Sequence, residues 1–316
     1  MRITVLAGGV GAARFLRGLR AAVPDADVTV IGNTGDDFAP FGLHVCPDLD
    51  TVMYTLGGGI SEEQGWGRAG ESHVVLSELA AYGAGPGWFG LGDLDIATHI
   101  LRNQLLAQGR TLSEATRVLC DRWQPGVALL PMSDDPVRTH VTVEIDGREQ
   151  VLHFQEWWVR LRAAVPARKI EAIGAAAARP APGVLEAIRA ADFVILPPSN
   201  PVVSVGVILA VPDITAAVRQ KTVVGVSPII GGAPVRGMAD ACLAAIGVET
   251  SATAVGAHYG ADLLDGWLVD DQDKDAVDAP ELAGIVVRSR PLYMTTVAKS
   301  AEIAKAAVDL ALEVRP

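Results

Sequence analysis

The stretch Arg2-Ile3-Thr4-Val5-Leu6-Ala7-Gly8-Gly9-Val10-Gly11-Ala12-Ala13-Arg14 decides the fold. Arg2–Leu6 reads as a buried strand, and Gly8, Gly9 and Gly11 as a turn. Ala12–Val23 then carries apolar residues at helical spacing, and Val28–Ile31 is a second strand. Strand, glycine turn, helix and strand within about 30 residues open a doubly wound sheet. The alternation returns later. Gly183–Ala190, Ile214–Gln220 and Met238–Ile246 read as helices, with Phe193–Leu196 and Thr222–Val226 as strands between them. The expected fold class is α/β, with a Rossmann-like, doubly wound, mostly parallel sheet.

The middle of the chain departs from this rhythm. Glu71–Tyr82, Asp93–Gln108 and Leu112–Trp123 read as helices, the second with Leu94, Ala97 and Leu101 on one face. Val141–Ile145 and Gln150–Phe154 form a hairpin that turns at Asp146-Gly147. Residues 61–169 are therefore expected to form an inserted, mainly helical cap subdomain. Residues 1–60 and 170–316 would form the nucleotide-binding core. Ala175–Pro182 reads as a connection between lobes or as a surface loop.

The chain has 316 residues, half of them apolar, and a formal net charge of −11. No stretch approaches the ~20 uninterrupted apolar residues that span a bilayer. The N-terminus lacks a charged leader and a cleavage site, so a cytoplasmic location is expected, with no membrane partner. An acidic chain without a basic stripe is a poor nucleic-acid binder. Cys46, Cys120 and Cys242 are scattered, which suits reduced thiols rather than disulfides or zinc.

Three motifs carry the chemistry. Glycines at 8, 9 and 11 let the backbone approach a phosphate, and the helix that follows aims free N–H groups at it. Arg14, in the first helical turn, is placed to reach that phosphate or to lie on the surface. Asn33-Thr34-Gly35-Asp36-Asp37 follows the second strand, where open α/β sheets bind ligands. It reads as a polar site for a metal or a substrate hydroxyl, or as a plain turn. In Cys46-Pro47-Asp48-Leu49-Asp50-Thr51, an extended segment would put Asp48 and Asp50 on one side, as hard ligands for Mg²⁺. Alternatively one of them caps a helix that starts near Thr51.

Further candidates are weaker. His99 and Arg102, three apart on a helix, could meet an anion, although a lone helical histidine is more often structural. The aromatics of His153–Arg160 would wall a flat ring or fill the core. Ser199, Asn200 and Ser227 sit in Pro/Gly-rich loops after strands and could read a base or ribose, or simply brace the loops.

Together GGVGAAR, NTGDD, CPDLDT, GWG, LGDLDIATH, PMSDDP, HFQEWWVR, PSNPVVS and SPIIGG resemble the 2-phospho-L-lactate transferase family of coenzyme F-420 biosynthesis, over residues 1 to about 270. CPDLDTVMYTLGGGI and HFQEWWVR look closest to its actinobacterial branch. The resemblance implies a Rossmann-like core with an inserted helical subdomain, commonly dimeric. It implies transfer of a phospho-three-carbon-acid group to the ribityl hydroxyl of the deazaflavin Fo. The donor would be enolpyruvyl- or lactyl-diphospho-guanosine, with GMP released and Mg²⁺ required. By motif, Gly8 to Gly11 would cradle the donor phosphates, and Ser199, Asn200, Ser227 and Gly231 would surround the guanosine. Asp36 and Asp50 would hold Mg²⁺ and orient the Fo hydroxyl, with Asp48 nearby. Ala12 and Ala13 depart from the Gly or Pro common in the family near these positions.

Two other readings compete. A related group shares the glycine turn and binds nucleotide sugars as a regulator, but lacks segments like DLDTVMY and HFQEWWVR. An NAD(P)-dependent oxidoreductase rests on the glycine turn alone, which is not G-x-G-x-x-G and comes with no catalytic dyad.

Overall fold

The computed structural model describes residues 1–315. The chain opens with β1 (Arg2–Ala7), α1 (Gly9–Ala22) and β2 (Asp27–Gly32), then α2 (Pro47–Leu56). Next come α3 (Val74–Ala81), α4 (Asp93–Ala107), α5 (Leu112–Trp123) and β3 (Ala128–Pro131). A small antiparallel sheet follows: β4 (Arg138–Ile145), β5 (Arg148–His153) and β6 (Ala167–Ile173). The second half holds α6 (Val184–Ala190), β7 (Phe193–Leu196), α7 (Val205–Leu209), α8 (Pro212–Val218) and β8 (Val223–Val226). The short strands β9 (Ile229–Ile230) and β10 (Ala233–Pro234) lead to α9 (Ala239–Ala245) and α10 (Ala252–Tyr259). β11 (Gly266–Val269), β12 (Val286–Ser289) and α11 (Val297–Val314) complete the chain.

Seven strands form one parallel sheet in the order β12-β11-β8-β7-β1-β2-β3. The order runs outward in both directions from β1, so β1 and β7 flank the switch point, where such sheets hold ligands. The alternation of side chains along β1 explains the two layers. Ile3, Val5 and Ala7 join a core with α1, α2 and α11, while Leu6 joins a second core with α6, α7 and α8 on the opposite face. The first and last long helices meet directly. Phe15, Leu16 and Leu19 of α1 pack with Ile303, Ala304 and Ala307 of α11. Gly18 permits the contact, since a Cβ there would stand 2.3 Å from the Ser300 backbone.

The α/β reading of the sequence holds, and so does the hairpin, with Asp146 at φ +52° and Gly147 at φ +71°. Both central residues in the left-handed region match the twist of the flanking strands. Three expectations change. The 61–169 stretch supplies α3, α4, α5 and most of the small sheet, but also β3, an edge strand of the main sheet beside β2. Ala175–Pro182 is a half-buried connection: Ala175, Ala178 and Ala181 pack into the second core, while Ala176, Ala177, Arg179 and Pro182 are exposed. On α4 the buried residues are Ile96, Thr98, His99, Arg102 and Leu105, whereas Leu94, Ala97 and Leu101 are exposed. The polar face turns inward because it has charged partners there. No helix among the described residues is long and apolar enough to cross a membrane.

Candidate active site

At the switch point the turns after β1 and β7 are locked together. Gly9 takes φ +73°, a conformation that favours glycine. A Cβ on Gly11 would stand 2.2 Å from the Pro198 carbonyl oxygen, so only glycine lets the two backbones meet. The Ser199 hydroxyl donates to the Gly8 carbonyl at 2.8 Å. A cavity of about 600 Å³ opens beside these turns. Gly8, Gly9, Gly11 and Arg14 line it on one side, and Ser199, Asn200 and Ser227 on another. Asp36, Asp48 and Asp50 also reach it.

Asn33, Thr34 and Gly231 do not line the cavity. Asn33 is buried behind it. Its Nδ2 donates to Asp48 Oδ2 at 2.9 Å and to the Val203 carbonyl at 3.2 Å, while its Oδ1 accepts from the Gly35 amide. It therefore positions Asp48 rather than a ligand. Thr34 is buried, and its hydroxyl has no partner. The Gly231 amide donates to Asp273 at 2.9 Å.

The D-x-D pair sits on a helix rather than an extended segment. Pro47 occupies the first helical turn of α2, with Cys46 at the cap and no side-chain capping bond, so neither aspartate is the N-cap. Both carboxylates fall in the first turn, where the helix dipole favours negative charge. At 3.6 residues per turn, positions two apart point to different sides. Asp48 faces the glycine turn: a Cβ on Gly8 would stand 2.7 Å from its Oδ2. Asp50 faces α4 and forms an ion pair with Arg102.

Burial sets the charge state of the first group. It pushes the Asp48 carboxyl up to about 6, although Asn33 and the Gly9 amide pull the other way. Asp36 is raised well above its usual range by burial and then by the Asp48 charge. Asp37 points elsewhere and accepts from His44 Nε2 at 3.2 Å. Asp37, His44 and Cys46 have donor atoms within 4.8 Å of one another and form a tighter group than the three cavity aspartates.

Whether the site suits Mg²⁺ can be tested on its unpaired oxygens. Asp36 Oδ1 and Asp50 Oδ2 are buried without hydrogen-bond partners, and both residues line the cavity. Unpaired hard oxygens from carboxylates fit that cation.

Arg236 escaped sequence reading. It lines the cavity, donates to the Gln64 carbonyl, and lies close enough to Arg14 for the two charges to repel. Its only signal was a lone arginine just after Gly231-Gly232 in a Pro/Gly-rich loop. The site thus carries acidic groups from α2 and the loop after β2, together with two arginines. Arginines beside backbone amides suit phosphate groups, and the carboxylates suit a cation.

A family model described as 2-phospho-L-lactate transferase CofD matches residues 3–288. The chain belongs to the 2-phospho-L-lactate transferase family. It is 65% identical to a phosphoenolpyruvate transferase of Thermobifida fusca, covering 100% of this chain and 99% of that one. A protein of the same name from Streptomyces griseus is 65% identical, with 100% of both chains covered. One from Nocardia farcinica is 55% identical over 98% of this chain and 95% of its own. Among solved structures, a Bacillus halodurans protein of the upf0052 family has the same fold, with a TM-score of 0.65 at 18% identity, covering 97% and 98% of the two chains.

Within this family fold, the HFQEWWVR segment divides between two tasks. Trp157 is core, donating Nε1–H to the Val165 carbonyl at 2.8 Å, while Phe154 and Trp158 line the cavity. Phe89 and Trp66 line it too, so a flat ring has apolar walls available.

Proposed function

We infer that the chain transfers a phosphoenolpyruvyl group from a guanosine diphosphate conjugate to the ribityl hydroxyl of the deazaflavin Fo, in the cytoplasm. The cavity supports this reading: a phosphate-type glycine turn, two arginines, unpaired carboxylates and aromatic walls share one space. The name shared by relatives at 65% identity favours the enolpyruvyl donor over the lactyl one.

In this mechanism the Gly8–Gly11 turn and the N-terminus of α1 hold the donor diphosphate. Arg14 and Arg236 add positive charge along it. The Fo hydroxyl oxygen attacks the phosphorus next to the three-carbon acid, its bond to the GMP oxygen breaks, and GMP leaves. Phosphoryl transfer depends mainly on positioning and charge neutralisation. Mg²⁺, held by Asp36 and Asp50 with Asp48 nearby, would neutralise charge on the diphosphate. Asp50 or Asp36 aligns the hydroxyl and accepts its proton as the new bond forms. Phe154, Trp158 and Phe89 wall the deazaflavin ring. The unpaired cysteines suit a reducing compartment.

We also assign the chain to a homodimer. Helix α3, Val-Val-Leu-Ser-Glu-Leu-Ala-Ala, is mostly apolar yet has no buried residue. Leu94, Ile100 and Leu101 of α4 are likewise exposed. A second copy covering α3 and α4 would remove that surface from water.

The test is to incubate the protein with Fo, Mg²⁺ and each donor, then weigh the product. The expected product is the dehydro form, two hydrogens lighter than the lactyl product, with GMP formed in equal amount. Binding of Fo and donor without any product would refute transfer and leave a binding protein.

A further inference from the structure

Helices α2 and α4 face each other across a buried polar seam. Asp50 and Tyr54, four apart, lie on one face of α2. Asp95, His99 and Arg102 share one face of α4. Arg102 is 1% exposed and does not line the cavity. One of its terminal nitrogens donates to Asp50 Oδ1. The other meets the His44 carbonyl at 3.2 Å and His99 Nδ1 at 3.1 Å. A guanidinium only donates, so His99 Nδ1 is the acceptor and Nε2 carries the proton. That Nε2 faces Asp95 Oδ2 at 3.4 Å, and Asp95 Oδ1 accepts from the Tyr54 hydroxyl at 2.6 Å.

A buried arginine–carboxylate pair adds little to stability compared with apolar residues of the same volume. Here it fixes one oxygen of Asp50 and leaves the other, Oδ2, without a hydrogen bond, 3.8 Å from His99 Nδ1. The rest of the seam fixes the arginine. A planar guanidinium gripped at two nitrogens by a carboxylate, a carbonyl and a ring nitrogen has one pose.

We propose that Arg102 is a positioning residue, gripped by the His44 carbonyl and by His99 with Asp95 and Tyr54 alongside, which binds one oxygen of Asp50 and so fixes the carboxylate with its other oxygen left for the cation. This rests on the role given to Asp50 in the transfer reaction. Arg102 also opposes the cation it helps to place, because its charge lies against a ligand carboxylate. Removing it therefore separates two quantities that a collapse of the site would move together.

The test uses Arg102→Met and Arg102→Lys in the full-length protein, with three readouts: kcat, equilibrium Mn²⁺ binding, and thermal unfolding. Mn²⁺ binding is measured without Fo or donor, so it reads Arg102 even if the transfer reaction is misassigned. A wild-type enzyme that makes no product would overturn that assignment alone. For Arg102→Met, kcat is expected to fall about 100-fold, the scale of a misplacement near 1 Å. Mn²⁺ binding should be unchanged or tighter, and KM for the donor should stay within about threefold, less than half the free energy of a tenfold change. Arg102→Lys keeps the charge but loses the fork, and should recover part of kcat. Should the methionine variant fail to fold, the lysine variant decides: a kcat loss of about 10-fold with unchanged Mn²⁺ binding supports the proposal. A kcat near wild type in either folded variant overturns it. So does Mn²⁺ binding that weakens in Arg102→Met as much as in Asp50→Ala.

Discussion

Asp48→Asn should stabilise the metal-free protein at pH 8, and the gain should shrink as the pH falls. Asp48 is buried against the glycine turn with its carboxyl pushed up to about 6 from an ordinary 3.8. A carboxyl raised in this way opposes folding wherever it is ionised. Its contribution is most favourable below the unfolded pKa and is lost as pH rises through the folded one. At pH 8 the penalty is about 3 kcal/mol, and lowering the pH to 5 recovers about 1.4 kcal/mol of it. Asp36 moves in the same direction, since burial and the Asp48 charge both raise it, and the two carboxyls titrate as a pair. Asparagine keeps an acceptor for Asn33 Nδ2 and removes the charge. Urea unfolding of both proteins in chelator should place the variant about 3 kcal/mol above wild type at pH 8 and at about half that gap at pH 5. Saturating Mg²⁺ should narrow the gap at pH 8 by stabilising the wild type, because a cation compensates the buried charges. A variant no more stable than wild type at pH 8, or a gap indifferent to pH, would refute the reasoning.

Three more outcomes follow from the geometry. Asp50→Ala should lower turnover at least ~100-fold, since it removes an acid–base or cation-holding group, and should cost about 3–5 kcal/mol of stability by stranding the buried Arg102; steady-state kinetics beside a melting curve check this. Gly11→Ala would put a Cβ 2.2 Å from the Pro198 oxygen and force the two phosphate-side turns apart, so GDP affinity by titration calorimetry should weaken about tenfold or more. Trp157→Ala empties a fully buried site in the small sheet's core and should cost about 3–5 kcal/mol in denaturant unfolding.

The fold was legible where local pattern and packing agree. β1, the glycine turn and β2 read directly, because an unbroken apolar run bounded by glycines has few other uses. β3, β6, β11 and β12 were missed: three of these are four residues long, too short to show a period, and β7 and β8, no longer, were read from their place in the α/β alternation. The site was legible as residue types but not as directions. Asp48 and Asp50 were expected to point the same way, and Pro47 starting a helix turned them apart. Apolar periodicity on α4 favoured Leu94, Ala97 and Leu101, yet His99 and Arg102 are the residues that are buried, since their partners lie on α2 and in the loop before it. A rule that sends apolar residues inward fails where buried charges are matched by charges distant in sequence.

The packing of α1 against α11 imposes an order on biogenesis. The helix that begins at the phosphate turn gains part of its apolar cover from Ile303, Ala304 and Ala307, far along the sequence. During synthesis that flank stays bare until α11 clears the ribosome, long after the turn itself has been made. A message cut short before codon 297 would yield a chain with an uncovered first helix, a target for chaperones and proteases.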